Sequence, residues 1–224
     1  MTTARSAGAG AGKKAAPAPA RGPRPLTDRG EQTRRRLLEA AEEVFARHGY
    51  HEASIVKITE AAGVAQGTFY LYFRTKSQVF EELVDDLNRR VRRAMTERAA
   101  GAADRVEAER LGLLGFLEFT ARHPGLYRIM RQAELVSPAA VRRHYDRIAR
   151  SYVAGLSAAM DGGEIAVADA EVVAWLLMAV GEMVGLRWVL WSGKKPSARA
   201  PVPGRVLDEV AAFIARGLGA APPS

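Results

Sequence analysis

The chain predicts an all-α fold in two parts, and three observations carry that reading. Apolar residues recur every three or four positions through most of the chain, no stretch alternates with the period of two that marks a strand, and the segments between periodic runs hold the glycines and prolines that stop helices. About nine helices result, three of them in an N-terminal head and the rest in a larger C-terminal body.

Residues 1–26 are rich in Ala, Gly and Pro without periodicity. Such a segment buries too little apolar surface to offset its ordering entropy, so a disordered basic tail is expected there. Glu31 to His48 is the first helix, with Leu37, Leu38, Ala41, Val44 and Phe45 as its apolar stripe, and Gly49 ends it. Ser54 then caps a second helix carrying Ile58, Ala61 and Ala62, and Gly63 suits the left-handed position that closes it. Val64 to Gln66 form a turn, and a third helix carries Gly67 to Phe73. Ile58, Val64 and Phe69 are spaced to meet in the corner between these two helices, Phe73 joins them inside, and the small Ala61 and Ala62 permit close approach. That is a helix-turn-helix. Its outer face offers Gln66, Thr68, Tyr70, Tyr72 and Lys76, donors and acceptors with a cation, suited to base edges and phosphates in a DNA major groove.

These same residues resemble the tetracycline-repressor (TetR) family of bacterial transcriptional regulators. The family pattern of I-A-x-x-A-G-V, two variable residues, G-T-x-Y-x-Y-F and a closing lysine reads here as Ile58 to Val64, Ala65 and Gln66, Gly67 to Phe73, and Lys76. Ser54 and Ile55 stand where the family has threonines, and Thr59 replaces a common alanine. The resemblance covers roughly Glu31 to Leu83 and implies a homodimer that binds an operator through residues 27–76. It adds Ser54, Ile55, Gly67 and Leu71 to the DNA-facing set, together with Thr33, Arg34 and Arg35 at the start of the first helix, where they reach the backbone.

From Ser77 onward a body, residues 77–218, is expected to bind a ligand and to dimerise, followed by a short tail, residues 219–224. Ser77 is read as the N-cap of a long helix reaching about Arg98, with Val79, Phe80, Leu83, Val84, Leu87 and Val91 inward. Further helices follow at Asp104 to Arg122, Pro124 to Glu134, Pro138 to Met160, Ala168 to Trp191 and Gly204 to Leu218, with a loop from Lys194 to Pro203. The last two carry more apolar surface than one core-facing stripe needs, which points to a four-helix interface with a second copy and to a near-palindromic operator whose half-sites lie one DNA turn apart, roughly 34–36 Å. A pocket between body helices is expected to take a small effector. Its candidate lining is Phe116 and Phe119, then Tyr127, Met130, Arg131 and Glu134, then Tyr152, and finally Trp175, Met178, Met183, Arg187 and Trp188. An apolar set with an arginine or two suits an amphipathic ligand with an acidic end, such as a fatty acid, an acyl-CoA or an aromatic acid.

Charge and composition bound the alternatives. Of the net charge of +8, nine basic residues against two acidic ones leave +7 in residues 1–36, a cationic arm suited to DNA phosphates or simply a solvated tail. The chain has no cysteine, so thiolate metal sites and cysteine nucleophiles are out. The run from Gly8 to Lys14 fails as a phosphate loop, because Ala7 and Lys14 stand where Gly and Ser or Thr are required. His48, His51, His123 and His144 show no metal spacing and no G-x-S-x-G elbow occurs, so neither an enzyme nor a cofactor is expected. No signal segment or bilayer-spanning run is read, which places the chain in the cytoplasm without a membrane partner.

Overall fold

The computed structural model describes residues 27–166, 169–192 and 201–219, and within these the chain forms nine α-helices and no strand. The expected basic tail lies outside the described residues, as do most of the 194–203 loop and all but Gly219 of the C-terminal tail.

Helix α1, Asp28–Glu52, starts where Thr27 accepts from the Gly30 amide. Gly49, at φ 80° and ψ 165°, breaks it one residue after His48 and re-aims its last turn, a conformation that glycine adopts without the Cβ clash. Helix α2, Ile55–Ala62, is capped by Ser54 and closed by Gly63 in the left-handed region, at φ 63° and ψ 41°, as the sequence predicts. Helix α3 is shorter than expected. It spans Gln66–Phe69, and tight turns bonding Leu71 to Thr68 and Tyr72 to Phe69 finish the segment. Helix α4, Lys76–Ala99, is capped by Thr75, whose side chain accepts from the Gln78 amide, and not by Ser77.

The body comprises α5 (Arg105–Arg122), α6 (Gly125–Val136), α7 (Pro138–Asp161), α8 (Ala170–Val184) and α9 (Gly204–Gly217). Helix α8 continues into a π-helical turn, Gly185–Leu190, beside the point where Tyr127 passes. A Cβ on Gly185 would stand 3.2 Å from the Tyr127 hydroxyl, tighter than ordinary van der Waals contact, so a larger residue there would require its neighbours to shift. Together α8 and the π turn make a segment, Ala170–Leu190, of 21 residues and hydropathy 1.6, long and apolar enough to cross a membrane by length and composition. This corrects the expectation that no run reaches that length. One third of its apolar window is buried inside the chain, against α7 in particular.

The largest core is built from α1 to α4 and crosses the expected head–body boundary. Phe45, Ile58, Phe69, Phe73, Phe80 and Leu83 are fully or almost fully buried in it, and Ile129 and Ala133 of α6 belong to the same cluster. Helix α6 also satisfies the end of α1. Gln132 accepts from the Tyr50 amide at 2.6 Å, Arg128 donates to the Ala46 carbonyl at 2.6 Å, and Gly125 lies so near Ala46 that a Cβ would meet it at 2.6 Å. Two smaller cores, one around Leu117, Val189 and Val206 and one around Leu156, Ala174 and Ile214, hold the body together.

Candidate functional site

Two places gather the candidate side chains: the outer face of the helix-turn-helix and a cavity in the body.

On the head, Ile58 and Phe69 are fully buried with Val64 packed against them, so the corner closes as its spacing predicts. Outside it, Gln66, Gly67 and Leu71 are exposed, Leu71 at 77%, and Tyr70 is 52% exposed. A Cβ on Gly67 would touch nothing within 4 Å, so nothing inside this chain requires a glycine there. Tyr72 is half-buried and packs against the core, and Thr68 is half-buried beside it. Ser54 spends its hydroxyl on the Lys57 amide, and Ile55 packs against the core.

Lys76 does not stand on the outer face. Its ammonium donates to the carbonyls of Tyr50 at 2.7 Å and Ala53 at 2.9 Å and sits 4.4 Å above the Tyr50 ring, so it ties α4 to the redirected end of α1. Charge-assisted bonds to orphan carbonyls explain that choice. On α1, Arg34 is ion-paired with Glu82 and lies over the Phe73 ring at 5.4 Å, Thr33 donates to the Arg29 carbonyl, and Arg35 stays exposed. Arg74, passed over by sequence reasoning, is exposed immediately after the aromatic run, where a basic residue next to the motif was the available signal.

The cavity lies between α4, α5, α6, α7 and α8. Its free space, part of it open to solvent, sums to about 590 Å³ and is slender. Five expected residues line it: Phe116, Tyr127, Met130, Tyr152 and Met178. The other seven lie elsewhere. Phe119 is buried in the head core, Arg131 and Glu134 are exposed on α6, and Trp175 and Met183 face outward from α8 at 44% and 58% exposure. Arg187 is exposed and stacks on Trp188, which itself packs against the Leu117 core. Met95, Leu113, Ile148 and Leu177 complete the apolar wall, with Gly181 making room beside Leu113 and Phe116.

The polar lining is His144, Tyr145, Glu182 and the two other tyrosines. Tyr145 donates to Glu182 Oε1 at 2.5 Å, and Tyr127 donates to the Glu182 carbonyl at 2.9 Å. Burial, then the Glu182 bond, push the Tyr145 hydroxyl up, and burial does the same for Tyr127, so both keep their protons. His144 is buried, and desolvation holds its pKa down at about 4, so it is neutral at pH 7. Asn88 of α4, with no exposed surface, donates through Nδ2 to the His144 carbonyl at 2.9 Å and approaches its Nδ1 at 3.2 Å. The carbonyl accepts only, which fixes Nδ2 on that side. The ring Nδ1 is then an acceptor, and its Nε2 carries the proton. No lysine or arginine lines this cavity among the described residues.

A head with an outward helix-turn-helix thus stands on a hollow helical body. Residues 37–83 match the family of bacterial regulatory proteins described as the tetR family. The chain is 41% identical over 68 residues to an uncharacterized HTH-type transcriptional regulator, YdgC, of Bacillus subtilis, covering 30% of this chain and 35% of that one. It is 39% identical over 67 residues to the fatty acid metabolism regulator protein of the same organism, covering 28% and 34%. The matched stretch thus spans about a third of the length of each of these relatives. Over the whole fold, the crystal structure of the transcriptional regulator FadR from Bacillus subtilis in complex with stearoyl-CoA superposes with a TM-score of 0.66 at 22% identity, covering 83% of this chain and 97% of that one.

Proposed function

We propose that this protein is a homodimeric transcriptional repressor that binds a near-palindromic DNA operator and leaves it when a small amphipathic ligand fills the body cavity. The observation that carries the reading is the pairing of an outward helix-turn-helix face, with Tyr70, Leu71 and Gln66 exposed, with a cavity whose wall is hydrogen-bonded to the helix entering the head core. On the head, Gln66, Thr68 and Tyr70 are the base- and phosphate-facing groups, the open side of Gly67 admits the DNA backbone, and Arg35 and Arg74 replace Lys76 as free cations.

The second copy is called for by α8 and α9. Val172, Trp175, Leu176 and Met183 form one exposed stripe at helical spacing, and Phe213 of α9 is 60% exposed. Large apolar surface of this kind on a helix face marks an interface. Two such helix pairs facing each other make a four-helix contact and carry the heads to successive major grooves.

The coupling runs through α4. Its first half fills the head core and its Asn88 holds His144 in the cavity wall, so a ligand that presses on His144 shifts α4 and the head it carries. A ligand that prefers the shifted conformer must bind less well when the dimer is on DNA, and about 1.4 kcal/mol of coupling is already a tenfold change. A fatty acid or acyl-CoA is the ligand class favoured, since the relatives include a fatty acid metabolism regulator and a FadR structure with stearoyl-CoA and the cavity is slender and apolar. An aromatic acid is the weaker fit, because its carboxylate sits next to the ring and would enter a cavity without a cation, whereas a long acyl chain lets the acidic end stay outside. The site of action is the cytoplasm, where the operator is.

A gel shift on the DNA flanking the protein's own gene, repeated with acyl-CoAs, fatty acids and aromatic acids, tests this. A specific shift reversed by one class supports the whole reading, and absence of any specific DNA binding across the genome overturns it. The narrowness of the cavity favours one alternative, a repressor whose body only dimerises. A melting temperature that no ligand raises would select it.

A further inference from the structure

Beside the cavity lies a second, wider groove, between α4, α5 and α7. It holds about 840 Å³ of open space and shares Met95, Ile148 and Tyr152 with the cavity as a common wall. The two differ in charge. The cavity has the Glu182 carboxylate and no cation, whereas the groove carries Arg92, Arg105 and Glu109. Among the described residues Arg92 has neither an ion pair nor a hydrogen bond, and it is half-exposed at the rim. Arg105 is held against α7 at Gly155, where a Cβ would collide with its guanidinium, and pairs with the buried Glu109. One face of that guanidinium is left over: its Nε is buried and without a partner. A buried donor left unpaired is costly and calls for an acceptor.

We propose that this groove binds the anionic headgroup of the effector, with Arg92 and the free Nε of Arg105 as its donors, while the apolar chain passes the Met95 and Ile148 wall into the cavity. The inference rests on the cavity being the effector site. It assigns the acidic end to α4 and α5, away from Arg131 and Arg187, which lie outside both spaces. Glu109 is compatible with an anion nearby, because burial works to keep its carboxyl protonated and Arg105 offsets its charge when it is not. Met95 is the movable part of the wall, an unbranched side chain that re-packs at low cost. The chemistry fits either a fatty-acid carboxylate or the phosphates of an acyl-CoA.

Calorimetric titration of the full-length protein with dodecanoyl-CoA, dodecanoate and dodecan-1-ol, for wild type, Arg92→Gln and Arg92→Lys, tests the assignment. Arg92→Gln is expected to weaken the anionic probe about tenfold, as loss of one charge-assisted hydrogen bond implies, with Arg92→Lys recovering part of it and dodecan-1-ol unaffected. The arm that loses affinity, thioester or carboxylate, identifies the headgroup. Anionic probes that bind Arg92→Gln as tightly as wild type, or an equal loss for dodecan-1-ol, would overturn the groove assignment. Binding of the alcohol without either anion overturns the groove alone, and no binding of any probe to wild type removes the cavity reading with it.

Discussion

The head and the body use their apolar residues in opposite ways. In the head, Phe45, Phe69, Phe73 and Phe80 bury their rings in one close-packed core, and Phe45 and Phe80 meet edge to face with ring centroids 5.0 Å apart. The body divides its apolar surface three ways, between two small cores, the wall of a slender cavity, and the outward stripe of Trp175, Leu176 and Met183. A close-packed head on a body with room to change follows from that difference. Close-packed cores resist small displacements, whereas side chains that border free space can move at little cost.

The sharpest way to break this comparison is to cut one large side chain from each half. Phe45→Ala should cost about 3–5 kcal/mol in urea denaturation, and Met178→Ala less than about 2 kcal/mol because its neighbours already face open space. Equal costs would erase the distinction. Next comes the pH dependence of the cavity wall. His144 is held neutral, with a pKa near 4 against an ordinary 6.5, so the unfolded chain binds the proton first, and stability is complete above about pH 6.5 and falls as the pH drops toward 4. On the order of 3 kcal/mol should be lost over that window, and His144→Gln should flatten the curve there.

The outward stripe can be tested by charge. Met183→Glu with Phe213→Glu should loosen the proposed dimer at least a hundredfold, about 2.7 kcal/mol, seen by light scattering as a monomer at micromolar concentration with unchanged helical content. On the head, Tyr70→Ala should weaken the operator complex roughly tenfold in a gel shift while the dimer mass stays the same, since removing an exposed contact costs on the order of 1 kcal/mol. A variant that unfolds instead would show that Tyr70 supports the core. The smallest effect concerns the seam between α1 and α4. Although burial works against it, hydrogen bonds from His123 and from Arg90 at 2.6 Å hold Glu42 below the usual carboxylate range. Its contribution is therefore present above about pH 4.5 and lost as the pH falls below that, and Glu42→Gln should remove that part of the acid sensitivity in melts between pH 6 and pH 3.

Much of the head was legible because its signals are local. A cap at Ser54, a left-handed glycine at Gly63 and apolar residues at helical spacing each act within one or two turns, and all three lie where the sequence places them. Lys76 was misplaced for the opposite reason. Its partners, the carbonyls of Tyr50 and Ala53, are more than twenty positions away and are freed only because Gly49 redirects α1. On α8 the sequence shows apolar residues on every side and says nothing about which side faces inward. Leu177, Met178, Gly181 and Glu182 turn to the cavity, while Trp175 and Met183, equally apolar as sequence, turn away from it.

By itself the sequence determined the helices, the helix-turn-helix corner and its family resemblance, since hydrogen bonds within a turn and the periodicity of burial are properties of neighbouring residues. Only the tertiary structure decided which face of α8 and α9 is inner, where the arginines stand relative to the cavity, and that Asn88 meets His144 across 56 positions. Those depend on how whole helices rotate and dock against one another, and docking is settled by the fit of many side chains at once rather than by any local pattern.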